Sequence, residues 1–128
     1  MVRRWRSLFI VLLLALGLTA CSRVQPVMNM DNYPIPAGLT MKQIQNDIIA
    51  AGSQLGWTIV PQKPGQMIGT LYLRSHKAEV TIRYNQKLYS IIYLDSSNLN
   101  YKDGQIHPKY NQWVRNLNKY INQNLHAH

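Results

Sequence analysis

At 128 residues the chain has room for one hydrophobic core and not for two. Its single cysteine leaves no intramolecular disulfide, so the domain must be held by its core. Fourteen Lys and Arg against five scattered Asp and Glu give a formal charge of +9, which excludes an acidic surface and leaves no paired-carboxylate arrangement for acid–base catalysis.

The chain begins with Arg3, Arg4 and Arg6, followed by eleven residues from Leu8 to Leu18 broken only by Ala15 and Gly17. Basic, then apolar, then small is the order of a secretory signal. As a helix, eleven residues reach about 16 Å, half of the ~30 Å hydrocarbon core, so a membrane span does not fit. The twin arginines also occur in folded-protein export signals, but Val2 and Leu8 do not match that fuller pattern, and general secretion fits better. Leu18-Thr19-Ala20-Cys21 closes the segment and resembles the lipobox of bacterial lipoproteins. The resemblance implies that residues 1–20 are a signal peptide and that Cys21 becomes a lipidated N-terminus, with palmitate among its acyl chains. One chain binds a membrane marginally at about 0.8 kcal/mol per buried methylene, whereas two or three hold a protein there effectively permanently. Ser22 in the next position resembles the outer-membrane sorting signal of such lipoproteins, in which an Asp marks retention at the inner membrane, so the resemblance implies the outer membrane where the host sorts by that residue.

Losing Arg3, Arg4 and Arg6 takes the charge from +9 to +6 for residues 21–128. In a cytoplasmic protein that charge would favour nucleic acid. A secreted, lipid-anchored domain meets lipopolysaccharide phosphates and peptidoglycan carboxylates instead, and plain solubilising charge is the competing explanation.

From Ser22 to Gly38 the chain carries Pro26, Pro34 and Pro36 without helical or strand periodicity, so residues 21–38 read as the lipidated cysteine and a flexible tether. Seventeen loose residues reach roughly 20–25 Å, and about 55 Å when pulled straight. One globular domain is expected over residues 39–128. It opens with a helix: Thr40 and Gln43 form a capping box, Met41, Ile44, Ile48, Ala51 and Leu55 share a face, and Gly56 supplies the stop.

A short strand over Trp57–Val60 follows, then a turn from Pro61 to Gly65. Met67–Arg74 and Lys77–Tyr84 alternate as half-buried strands, and Asn85-Gln86 turns into a last strand over Leu88–Leu94. Links this short permit only antiparallel neighbours. A final helix starts at Pro108, with Tyr110, Trp113, Val114, Leu117, Tyr120, Ile121 and Leu125 on one stripe. The expected class is α+β: a two-layer sandwich with a four-stranded antiparallel meander and both helices on one face, in the order α-β-β-β-β-α.

Such a fold leaves one sheet face without helices, and Tyr72, Arg74, Lys77, Arg83, Tyr89 and Tyr93 with Thr70 and Thr81 are assigned to it. Aromatic and basic side chains so mixed suit base stacking, but the anchor argues against nucleic acid. Cross-strand Tyr pairing beside solvated cations is the plain explanation, and a protein or glycan surface the functional one.

The polar run from Ser96 to Trp113 offers Asn98, Tyr101, His107 and Asn111. His76 shares the core-facing phase of Ala78, Val80 and Ile82, which puts it within possible reach of His107. Two histidines without cysteine are too few for a zinc site. Ser96 and Ser97 sit in no strand-turn-helix elbow, so no catalytic residues, metal or cofactor are assigned. The structural alternative has His107 capping the last helix while Asn98 and Asn111 satisfy backbone groups of an irregular turn.

The lipobox, together with Tyr89-Ser90-Ile91-Ile92-Tyr93, Ser97-Asn98-Leu99-Asn100-Tyr101, Gly104-Gln105-Ile106-His107 and Tyr110-Asn111-Gln112-Trp113-Val114-Arg115-Asn116-Leu117, resembles the small uncharacterised lipoproteins of proteobacteria. That resemblance implies an envelope location and a fold, with no functional residues to carry over. The expected function is a lipid-anchored, non-enzymatic accessory binding another envelope protein. Its candidate binding residues are Tyr72, Arg74, His76, Arg83, Tyr93, Asn98, Tyr101, His107 and Asn111. The alternative partner is an anionic envelope ligand, lipopolysaccharide or peptidoglycan, and a third reading is an enzyme using His76 and His107.

Overall fold

The computed structural model describes residues 23–128, so the expected signal peptide and Cys21 lie outside the described residues. Its elements are β1 (Gln25–Pro26), β2 (Met30–Pro34), α1 (Met41–Gln54), β3 (Thr58–Lys63), β4 (Gln66–Leu73), β5 (His76–Tyr84), β6 (Leu88–Ser97), β7 (Gln105–Ile106) and α2 (Pro108–Leu125). Every named pairing is antiparallel, and the main sheet runs β2-β6-β5-β4-β3, with β1 and β7 as a separate two-stranded patch. The class is α+β.

The four-stranded meander expected from the sequence is one strand short. Met30–Pro34, assigned to the loose tether, adds to the outer edge of β6 with Met30 opposite Ile91 and Tyr33 opposite Tyr89. Met30, Ile35 and Leu39 are buried in the core. This strand has no readable alternation because it carries a register shift between Met30 and Tyr33, Asn32 at φ +57, and Pro34. An edge position tolerates all three.

The capping box of α1 is present: the Gln43 backbone N–H donates to Thr40 Oγ1 at 3.1 Å and Thr40 N–H to Gln43 Oε1 at 2.9 Å. Gly56, at φ +87, turns the chain out of the helix. β3 runs three residues past the expected strand because Pro61, on a sheet edge, needs no hydrogen-bonding partner for its missing N–H.

Ala78, Val80 and Ile82 of β5 are fully buried and lie opposite Leu71, Gly69 and Met67 of β4. Tyr84 continues this phase and faces Tyr89 of β6. The Tyr84 hydroxyl donates to Gln45 of α1 at 3.3 Å, and that of Tyr89 donates to Asn118 of α2 at 2.7 Å. The helices are joined in turn by Asn124 Nδ2, which donates to the Asp47 carbonyl at 3.1 Å. Ile44, Ile48 and Ala51 of α1 and Val114, Leu117, Ile121 and Leu125 of α2 complete the core.

The β3–β4 link is the Pro64-Gly65 pair, with Gly65 at φ +76. A Cβ there would lie 2.9 Å from the Tyr84 carbonyl oxygen, whose own N–H donates to the Gly65 carbonyl. Left-handed strain and a backbone clash therefore coincide. Gly65→Ala is expected to destabilise the fold by about 1–3 kcal/mol, read as a lower urea midpoint at unchanged slope.

Candidate functional site

Three separate regions receive the residues singled out from the sequence. On the sheet face opposite Tyr84 and Tyr89, Tyr72 is the most exposed aromatic at 70 %. Lys77, opposite it in register, stands with its Nζ 5.9 Å from the Tyr72 ring centroid and pairs with Glu79. The Glu79 hydrogen bond holds the Lys77 ammonium above its ordinary pKa. Arg83 is exposed on the same face, between Gln66 and Ser90.

Tyr89 and Tyr93 do not belong to that face, and this corrects the assignment made from sequence. Tyr89 is only 1 % exposed, stacks on Tyr33 with ring centroids 5.7 Å apart, and faces α2. Tyr93 meets Tyr110 of α2 edge-on at 5.4 Å. In Leu88–Leu94 both phases are apolar, so alternation cannot choose between them. The choice falls to the Asn85–Lys87 link, where Asn85 Oδ1 accepts from Lys87 and Leu88 N–H and sets Tyr84 opposite Tyr89.

Arg74 lies in the β4–β5 turn at φ +56 and is not a strand residue. Beside it, the His76 Nδ1–H donates to the Asn98 carbonyl at 2.7 Å and Asn98 Nδ2 donates to Ser75 Oγ at 2.7 Å, tying this turn to the loop after β6. His107 accepts the Lys109 backbone N–H on Nδ1 at 3.1 Å and so caps α2. Through Nδ1 the two histidines bond different backbone groups, and the His76 ring also makes a tilted contact with Trp113 at 6.2 Å. Among the described residues, no three His, Cys, Asp or Glu side chains gather where they could hold a metal ion.

The second region is a shallow hollow of about 540 Å³ lined by Tyr93, Asp95, Ser96, Asn98, Asn100 and Tyr101. Tyr93 and Tyr101 stack with centroids 4.4 Å apart and planes at 20°, leaving Tyr101 half-exposed. Buried Leu99 pins the loop, helped by His107 N–H donating to its carbonyl at 2.8 Å, while Asn98 and Asn100 both adopt positive φ. Ser96 Oγ is bonded to the Tyr93 hydroxyl, and Asp95 Oδ1 accepts the Ser96 N–H. The hollow therefore offers stacking and hydrogen bonds, with its one hydroxyl–carboxylate neighbourhood already internally paired.

The third region is built on Asn111, which is buried. Its Oδ1 accepts Met28 N–H at 2.9 Å, and its Nδ2 donates to the Pro26 carbonyl at 2.9 Å and Gln25 Oε1 at 3.3 Å. Asn111 satisfies backbone groups, as the structural alternative holds, but those of the N-terminal arm and not of the turn beside it.

One feature escaped the sequence reading. Val60, Ile68, Thr81 and Ile92 stand in one register row across β3, β4, β5 and β6 on the face away from the helices. Apolar residues in the phase that is otherwise polar were the available signal.

No protein-family model matches the chain, and neither a characterised protein nor a solved structure shows significant similarity to it.

Buried phenols give this region its chemical character. Tyr110 is fully buried and its hydroxyl has no hydrogen-bond partner. Burial pushes the Tyr89 and Tyr110 phenols well above their ordinary range, with neighbouring Tyr33 and Tyr93 adding to the effect. A phenol raised in the folded state stabilises below its unfolded pKa, and that contribution is lost as pH rises further. Stability should therefore be level up to about pH 10 and fall above it. Tyr110→Phe is expected to match the parent or exceed it by up to about 1 kcal/mol at neutral pH, and to make the alkaline fall shallower in urea titrations. His107→Ala should cost about 1 kcal/mol in the same titrations through loss of the α2 cap.

Proposed function

We propose that the chain is a lipid-anchored lipoprotein of the bacterial envelope, held at the outer membrane facing the periplasm by acyl chains on Cys21. It works without catalysis, as an accessory that binds another envelope protein. With both helices packed on one side of the sheet, the other side is left as the binding surface. The row Val60, Ile68, Thr81 and Ile92 is the observation that carries this reading. It is 53 % exposed at Val60 on the sheet edge and 8 % exposed at Thr81 in the middle. The adjoining row of Lys63, Gln66, Arg83 and Ser90 on one side, and Glu79 and Asp95 on the other, give it a polar border. A row that is apolar but for Thr81, set within a polar rim, has the anatomy of a protein interface.

In-cell crosslinking of the full lipoprotein, followed by detergent extraction, should recover one stoichiometric protein. Val60→Asp should lose that partner while leaving the urea midpoint unchanged, because Val60 is already half in water.

A second reading is favoured by a hollow at the end of the same face, lined by Asp31, Asn32, Lys63, Gln66, Arg83 and Ser90. Two cations against the one carboxylate of Asp31, beside amide and hydroxyl groups, leave a net positive lining that suits a phosphate or carboxylate of lipopolysaccharide or peptidoglycan. Recovery of only such a ligand, lost at high salt and on Arg83→Ala but not on Val60→Asp, would replace the protein partner with this one.

A further inference from the structure

The arm that precedes α1 is fastened at almost every residue. Gln25 and Pro26 pair with Ile106 and Gln105, and Val27 N–H donates to the Gly104 carbonyl at 2.9 Å. Asn111 holds Gln25, Pro26 and Met28. Asn29 Oδ1 accepts the Tyr93 N–H at 2.9 Å, and Met30 enters the main sheet. The first strand among the described residues therefore lies four residues after Cys21. Four residues span at most about 14 Å fully extended, against roughly 55 Å for the loose tether expected from sequence.

The surroundings of this entry point are basic. Arg23 precedes it, Lys102 bonds reciprocally with Gln105 across the β7 turn, Lys109 lies in the first turn of α2, and Arg115 Nη1 stands 3.8 Å from Met28 Sδ. Asp103 lies in the β7 turn, and Asp95 lines the hollow that Tyr101 shares. Half-exposed Tyr101 adjoins Lys102. A short link, a rigid clamp and a net excess of cations meet at one end of the domain.

We propose that this end, formed by β1, the β7 turn and the start of α2, rests on anionic lipid headgroups, so that the domain has a fixed orientation on its membrane. The inference rests on acylation of Cys21. Lipid is the occupant because four residues let the acylated cysteine lie no more than about 14 Å from Gln25, where the clamp begins, and anionic headgroups attract clustered Lys and Arg within a Debye length of the surface.

The test uses full acylated protein extracted from membranes, its acylation verified by mass spectrometry. It is reconstituted in phosphatidylcholine vesicles with or without phosphatidylglycerol. Fluorophores are placed on Gln105→Cys beside the clamp or on exposed Gln62→Cys in β3, and a headgroup-attached quencher reports their distance from the bilayer. The Gln105 position should be quenched several-fold more than the Gln62 position, and phosphatidylglycerol should widen the difference. Lys102→Glu with Lys109→Glu should remove that widening. A long Gly-Ser insertion between Ser22 and Arg23, which leaves every clamp contact intact, should bring the two positions towards equal quenching. Equal quenching in the acylated parent overturns the orientation and leaves the anchor standing. Absence of acyl groups on Cys21 overturns the anchor itself, and the orientation with it.

Discussion

The register of β5 is the constraint on which the rest depends. This strand is the only one with β4 along one side and β6 along the other, and Ala78, Val80 and Ile82 are fully buried by the helices. A slip of one residue would send all three to the opposite face and bring Glu79, Thr81 and Arg83 into the core. Glu79 and Arg83 could not be accommodated there without unpaired buried charge. Once this register is set, Tyr84 fixes the side taken by Tyr89, and through their hydroxyls the two tyrosines locate α1 and α2. The irregularity between Glu79 and Val80, which leaves Leu94 unopposed, then turns the end of β6 towards the loop that carries Asn98 and Tyr101.

The same register composes the face away from the helices. Along each strand the neighbours of a buried residue point outward, and the cross-strand partners line up as rows that differ in character. One row holds Val60, Ile68 and Ile92 with Thr81 among them, the next carries Lys63 and Arg83, and another carries Glu79 and Asp95. Such segregation is a property of the assembled sheet and of no single strand. Each segment by itself shows one or two apolar residues in its polar phase, which is unremarkable on a protein surface.

How much of this was legible in the sequence follows from the range of the forces involved. Local signals were readable: the Thr40–Gln43 box, Gly56 after α1, Pro108 at the start of α2, and the alternation of β4 and β5 all correspond to the observed elements. Features decided by distant partners were not. Met30–Pro34 has no strand pattern of its own and becomes a strand because β6 offers an unpaired edge. Tyr89 and Tyr93 were placed on the wrong face because their segment is apolar in both phases and only the preceding link chooses. Arg74 was read as the last residue of a strand, whereas the hairpin needs it in the turn at positive φ. Among the candidate residues, Tyr72 and Arg83 lie on the face assigned to them, and His107 takes its capping role. The role of Asn111 could not be read, since its partners lie 83 to 86 positions away.

That separation has a consequence for the order in which the domain assembles. The β3–β4 and β5–β6 hairpins close over links of two and three residues, but the N-terminal arm closes a loop spanning most of the described chain. By loop-closure entropy, docking the arm costs about 3 kcal/mol more than closing a hairpin, and it is repaid only when Asn111 is already held on a formed α2. The arm is therefore a late arrival, and its docking requires the helix at the far end of the chain. The N-terminal arm and α2 form one cooperative unit: whatever loosens α2 from the sheet also releases Gln25–Met28, and damage near the C-terminus is felt at Gln25–Met28.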